Sequence, residues 1–217
     1  MGDSTWTRYS TAGRGGRTRP TDRVELGPGE VDGLDRRLFG DVEGLRVLEL
    51  GAGAGNGSIA LAAAGAKVVA IDADADQVVA ARATAEENEV HVELHHSDLA
   101  ELAFLRADSF DLVVSVHALA ATADLGRVFR QVHRVLKSDK PIVVSLPHPA
   151  QIMLDADTTY LDAPPLGEGR QRTHGHTVSS VFTNLTRSNF RVDTLLEPTG
   201  EGRTPASLIM RAKKLGA

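Results

Sequence analysis

Nine consecutive residues, Glu49-Leu50-Gly51-Ala52-Gly53-Ala54-Gly55-Asn56-Gly57, constrain the fold more than any other stretch of the chain. They follow an apolar run and precede another. Glycine at alternate positions lets a strand turn sharply into a helix and lets backbone amides approach a ligand with no Cβ in the way. Such a turn belongs to alternating strands and helices, and the rest of the chain supplies them. Val47 to Leu50 reads as a strand, Ser58 to Ala64 as a helix closed by Gly65, and Lys67 to Ile71 as the second strand. Ala75 to Glu87 reads as a helix, with Val90 to Leu94 and Phe110 to Val116 as strands three and four. Val128, Phe129, Val132, Val135 and Leu136 recur at helical spacing before a buried strand from Ile142 to Leu146. Val178, Val181, Phe182 and Leu185 mark another helix. Phe190, Val192, Thr194 and Leu196 then alternate as a strand, and Ala206, Leu208 and Met210 as the last. The Pro/Gly link between these two is too short for a parallel crossover, so they should pair antiparallel. The expected class is α/β: a doubly wound, mostly parallel seven-stranded sheet with an antiparallel last strand and helices on both faces.

Composition narrows what such a fold does here. The 217 residues carry 24 Lys and Arg against 29 Asp and Glu, a formal charge of −5, which lacks the basic footprint of a nucleic-acid binder. The absence of cysteine excludes disulfides, thiolate metal sites and cysteine nucleophiles. Residues 1–22 form an arginine-rich arm with little to bury, expected to be mobile; Trp6 and Tyr9 within it read either as a flap over a ligand or as part of a loose tail. No apolar segment follows those arginines as in a secretory signal, and no run approaches the ~18 residues that span a bilayer. A cytoplasmic protein away from membranes is expected, with residues 23–217 as one domain.

In an open parallel sheet, ligands bind beyond the carboxyl ends of the strands. Three acids fall there. Glu49 interrupts an apolar strand two residues before Gly51, where an unpaired carboxylate is costly. Asp72 closes the second strand 19 residues after Gly53, near the ~20 at which an acid meets ribose hydroxyls; it also reads as a helix cap. Asp98, after the third strand, suits an exocyclic adenine amine or an N-cap. The dinucleotide frame GxGxxG fails, because three residues after Gly53 stands Asn56 and three after Gly55 stands Ser58. His95 and His96 point to opposite sides of an extended segment without a third ligand, so no metal site is expected.

Together these residues resemble the class I, Rossmann-like S-adenosylmethionine-dependent methyltransferases. Glu49-x-Gly51-x-Gly53-x-Gly55 looks like the first motif of that family, Asp72 like its ribose-binding acid and Asp98-Leu99 like its adenine-contacting pair. Phe110 to Ser115 looks like the fourth-strand motif, with Asp111 read as structural, on the face away from ligand. Val135-Leu136-Lys137 before Pro141 looks like the turn into the fifth strand. The chain departs from the family in having Ser138-Asp139-Lys140 for the usual Pro-Gly-Gly, and His117-Ala118-Leu119-Ala120 where paired histidines or aromatics are common. The resemblance implies S-adenosylmethionine as cofactor, contacted by Glu49, Gly51, Gly53, Gly55, Asn56, Asp72, Ala73, Asp98, Leu99 and Ser115.

An activated sulfonium needs alignment, exclusion of water and sometimes a base, so no protein nucleophile is required. Candidate bases are His117, His148, His174 and His176, suited by an unperturbed pKa near ~6.5. Residues 147–176 form an insertion longer than a compact domain spends on a connection, expected to cover a small-molecule acceptor. Two other readings stay open: a nicotinamide-dependent oxidoreductase, which the failed glycine frames oppose, and a cofactor-binding regulatory subunit without turnover.

Overall fold

The apolar runs become strands wherever β-branched residues stack two-sided, and the computed structural model describes residues 21–27, 38–156, 174–199 and 203–216. Its elements are β1 (Arg46–Leu50), α1 (Asn56–Ala63), β2 (Lys67–Asp72), α2 (Ala75–Glu87), β3 (Val92–His96), β4 (Leu112–Val116), α3 (Leu125–Val135), β5 (Pro141–Pro147), α4 (Pro149–Ala156), α5 (Val178–Arg187), β6 (Phe190–Leu196) and β7 (Ser207–Lys214). A short 3-10 turn, Ala118–Ala121, follows β4. The strands form a seven-stranded sheet in the order β3-β2-β1-β4-β5-β7-β6. β1 to β5 pair in parallel, and β7 runs antiparallel to both β5 and β6. The expected α/β architecture is thus the observed one, with β7 as the single reversed strand.

Both faces of the central strands are buried, which is why β1, β4 and β5 are nearly continuous in Val, Ile and Leu. On one face Leu48, Val113, Val144 and Met210 meet Val128, Phe129 and Val132 of α3 and Val181 and Leu185 of α5. On the other, Val47, Val68, Val114 and Val143 meet Ala60 and Leu61 of α1 together with Val24, Leu26, Leu38 and Phe39. Leu26 is fully buried, and its carbonyl accepts the hydroxyl of Ser145, so the chain joins the core from about residue 24.

Three differences from the sequence expectation have a visible cause. The third strand begins at Val92, not Val90, because Val90 still belongs to the end of α2. Glu89 adopts φ 55°, Glu89 N–H donates to Glu86 O and Val90 N–H to Ala85 O, a Schellman closure. β4 begins at Leu112, since Phe110 bridges to Leu136 instead and Asp111 turns its carboxylate to Arg46 N (3.1 Å) and Lys137 Nζ (2.8 Å). In β6 the simple alternation breaks at a bulge between Val192 and Thr194. The extra residue, Asp193, pairs with Arg211, and the register shift leaves Leu195 and Leu196 about two-fifths exposed, at 40% and 37%. α4, at the start of the insertion, is a helix that periodicity did not reveal. The expected mobile arm, apart from residues 21–22, and residues 157–173 of the insertion lie outside the described residues. Among the described residues no helix is long and apolar enough to cross a membrane.

Candidate active site

Sheet order reverses between β1 and β4, so the loops after these two strands part and leave a crevice at their carboxyl ends. The glycine loop follows β1 and the turn Ala118–Ala121 follows β4, and the two pack together at Gly51. Gly51 stands at φ 83°, and a methyl group there would overlap Ala118 Cβ, so this position requires glycine on both counts. Gly51 N–H and Ala52 N–H both donate to Ile71 O, at 2.7 and 3.1 Å, tying the loop to the end of β2.

Asp72 fastens the same loop from the side. Its Oδ2 accepts Gly53 N–H at 2.8 Å and its Oδ1 accepts Asp74 N–H at 2.8 Å. Each oxygen keeps a further lone pair for a ligand hydroxyl. The helix-cap role falls instead to Asp74, which accepts from Asp76 N at 3.0 Å.

Glu49 is buried beneath the loop at the N-terminus of α1. The N-cap residue of that helix, Gly55, has no side chain to offer, and Glu49 takes its place by accepting both the hydroxyl and the backbone N–H of Ser58. Gly57 completes this arrangement: a Cβ there would drive into the Glu49 carboxylate. Burial pushes the Glu49 pKa up to about 7, with Asp72 adding to the rise and Ser58 opposing it. The sequence places Gly57 in the glycine run and Ser58 at the helix start but does not show their contact with Glu49, though an acid in an apolar strand demands a buried partner.

Past β3, Asp98 Oδ1 accepts Ala100 N–H at 2.7 Å, closing a turn that presents Leu99, nearly buried, toward the same crevice wall as Gly51. Ala73 is exposed and receives His96 at its carbonyl, 3.3 Å away. Asn56 opens α1. Ser115 is fully buried, and its hydroxyl donates to Leu50 O at 2.9 Å, so it braces the end of β1 from behind.

The four histidines occupy unlike places. His148 follows β5 almost fully buried. Ala150 N–H donates to its Nδ1 at 3.1 Å, which leaves the proton on Nε2 to be donated to Glu197 Oε1 at 2.8 Å. Both ring nitrogens are committed, and the ring caps α4. His176 Nε2 donates to Thr122 O at 2.8 Å, and burial, helped by His174, holds its pKa below the usual histidine range. His117 adopts φ 65° at the head of the 3-10 turn, its N–H on Ser145 O at 2.9 Å. His174 N–H binds Ala120 O at 2.7 Å on that same turn, and its ring lies 6.0 Å from the His176 ring. The structure therefore gathers His117, His174 and His176 around the turn after β4 and sets His148 apart. Asp111 sits at the opposite, amino edge of the sheet. Burial opposes its ionisation, but Lys137, the Arg46 amide and Lys140 together hold its pKa below the usual carboxylate range. Among the described residues no group of three His, Asp or Glu could hold a metal ion.

Residues 47–139 match the family model of the methyltransferase domain. An S-adenosylmethionine-dependent methyltransferase from Mesorhizobium loti is 27% identical, with a TM-score of 0.69 over 82% of this chain and 95% of its own. Magnesium protoporphyrin IX methyltransferase from Synechocystis PCC 6803, solved with bound SAH, is 22% identical with a TM-score of 0.64 over 81% of this chain and 76% of that one. The cyclase SpnF shares the fold at 16% identity, with a TM-score of 0.71 over 89% of this chain and 88% of its own. No curated protein matches the sequence. The sheet order, the glycine turn and the family match define a Rossmann-like methyltransferase. Residues 47–139 thus carry a methyltransferase domain, and the chain shares the fold of S-adenosylmethionine-dependent methyltransferases.

Proposed function

We propose that this enzyme transfers the methyl group of S-adenosylmethionine to a small-molecule acceptor by in-line displacement. The observation that carries the reading is the pair of amide bonds on Asp72, which sets an acceptor-only carboxylate and the glycine loop side by side at the switch-point crevice. Asp72 accepts the ribose hydroxyls. Asp98 accepts the adenine amine through the oxygen not used on Ala100. Glu49 orders the glycine loop and faces the methionine ammonium from below, and Gly51, Gly53, Gly55 and Asn56 shape the path of the backbone; Ala73 and Leu99 flank the base. The sulfonium supplies an activated methyl group, so the protein is left to align the acceptor and exclude water. Where a proton must leave the acceptor, His174 is the favoured base: its backbone is pinned beside the crevice, and among the described residues its ring nitrogens make no hydrogen bond. His148 is unsuited, because its basic nitrogen is spent on Ala150.

The test is a thermal-shift titration with S-adenosylhomocysteine, followed by a screen of small metabolites with methyl-labelled cofactor. Stabilisation of the wild type that Asp72→Ala abolishes, together with label on a low-molecular-weight product, is expected. Binding without any labelled product would return the chain to the regulatory reading, and tighter binding of NADH would favour the oxidoreductase one.

A further inference from the structure

Asp72 satisfies only half of what a ribose hydroxyl asks for. A hydroxyl donates one hydrogen bond and accepts two, whereas an ionised carboxylate can only accept. A second group with protons to give, beside Asp72, would meet the other side of the diol, which is otherwise left to water.

Gln77 is placed to be that group. It stands at the third position of α2, after the N-cap Asp74, in the Asp-x-x-Gln spacing of a capping box, where the glutamine would reach back to the N–H of the cap residue. In this chain that N–H is already held by Asp72 Oδ1 at 2.8 Å. Released from the cap, Gln77 turns toward the glycine loop: a Cβ built on Gly53 would meet a single neighbour within 4 Å, Gln77 Oε1 at 3.9 Å. Gly53 in turn gives its N–H to Asp72 Oδ2 at 2.8 Å. Gln77, Gly53 and Asp72 thus border one small space. Gln77 is a partly buried residue, and its carboxamide has no hydrogen-bond partner among the described residues. Its two N–H donors and one acceptor exchange places by a simple flip.

We propose that Gln77 is a specificity-determining residue of the cofactor site, donating from its carboxamide to a ribose hydroxyl oxygen that Asp72 holds from the other side. The proposal rests on the assignment of Asp72 to the ribose. It predicts that Gln77 shares with Asp72 the discrimination between the intact diol and deoxyribose, since a ligand lacking the hydroxyl leaves the carboxamide without its partner.

Calorimetric titration of S-adenosylhomocysteine and its 2′-deoxy and 3′-deoxy analogues into the wild type, Gln77→Ala and Gln77→Met separates the cases. Gln77→Met keeps length and helix propensity, and unchanged thermal melting of either variant shows that the fold is intact. Both variants should bind S-adenosylhomocysteine about tenfold more weakly, the loss of one neutral hydrogen bond, and should show a smaller penalty than the wild type for one of the two deoxy analogues, the remainder being the bond to Asp72. Unaltered affinity of both variants overturns the proposal. So does an equal loss on all three ligands, which would put the Gln77 contact elsewhere on the cofactor. If the wild type itself binds all three ligands alike, the ribose assignment of Asp72 falls and the proposal with it. A wild-type penalty retained in full by the variants overturns Gln77 alone.

Discussion

Glu49 and Ser58 are joined twice: one buried carboxylate receives both the hydroxyl and the backbone N–H of the serine in the first turn of α1. A strand end and a helix start are thereby locked together directly under the glycine loop. Ser58→Ala removes one of the two bonds and leaves the carboxylate with an unmet lone pair in the core. The expected loss is about 1–3 kcal/mol in urea unfolding, with the Glu49 pKa pushed further up.

The same carboxyl gives the fold a pH signature. The Glu49 pKa rises from 4.5 to about 7 on folding, so between those values the native state holds a proton that the unfolded chain has released. Stability attributable to this group is complete below pH 4.5 and declines as pH rises to 7, by roughly 3 kcal/mol in all. Glu49→Gln cannot titrate and should not show that decline. Subtracting its unfolding free energy from that of the wild type across this window should leave a downward slope; a flat difference would show that the carboxylate stays ionised in the fold.

Gly51 is constrained by space and by backbone conformation at once, and a double-mutant cycle with Ala118 separates the two. Gly51→Ala sets a methyl against Ala118 Cβ at φ 83° and should cost about 3 kcal/mol. Adding Ala118→Gly relieves the overlap but not the backbone strain. The double variant is expected to recover more than half of the loss once the cost of Ala118→Gly itself is subtracted. No recovery would mean that the backbone conformation alone demands glycine.

His148 fixes the start of α4 through Ala150 and ties it to Glu197. His148→Ala removes both bonds and should destabilise by about 1–3 kcal/mol. His148→Asn can still cap the helix with its side-chain oxygen and should regain part of that loss. Glu197→Gln, by contrast, leaves the cap intact and should cost less than His148→Ala. Urea unfolding of the three variants checks the order.

Residue order alone made much of this protein legible. The runs of Val and Ile, each followed by a helical period, specify a parallel sheet, because no other arrangement buries both faces of such strands. The glycine spacing and the acids at positions 49, 72 and 98 are local signals that survive without a structure, since they lie within a few residues of a strand end. Tertiary structure decided what depends on distant partners. The contact of Ser58 and Gly57 with the Glu49 carboxylate has no local signal and arises only because Glu49 arrives from the neighbouring strand. Four histidines of equal promise became unequal once Ala150 and Glu197 claimed both nitrogens of one of them and the turn after β4 drew in the other three. Gln77 reads as a routine capping residue until Asp72 takes the N–H it would have bound. Sequence thus determined the sheet and the edge to which the cofactor is assigned by the proposed function, because backbone patterning is local. Which side chains remain available there was settled only by packing, because a hydrogen-bonding group is free or occupied according to what the fold brings beside it.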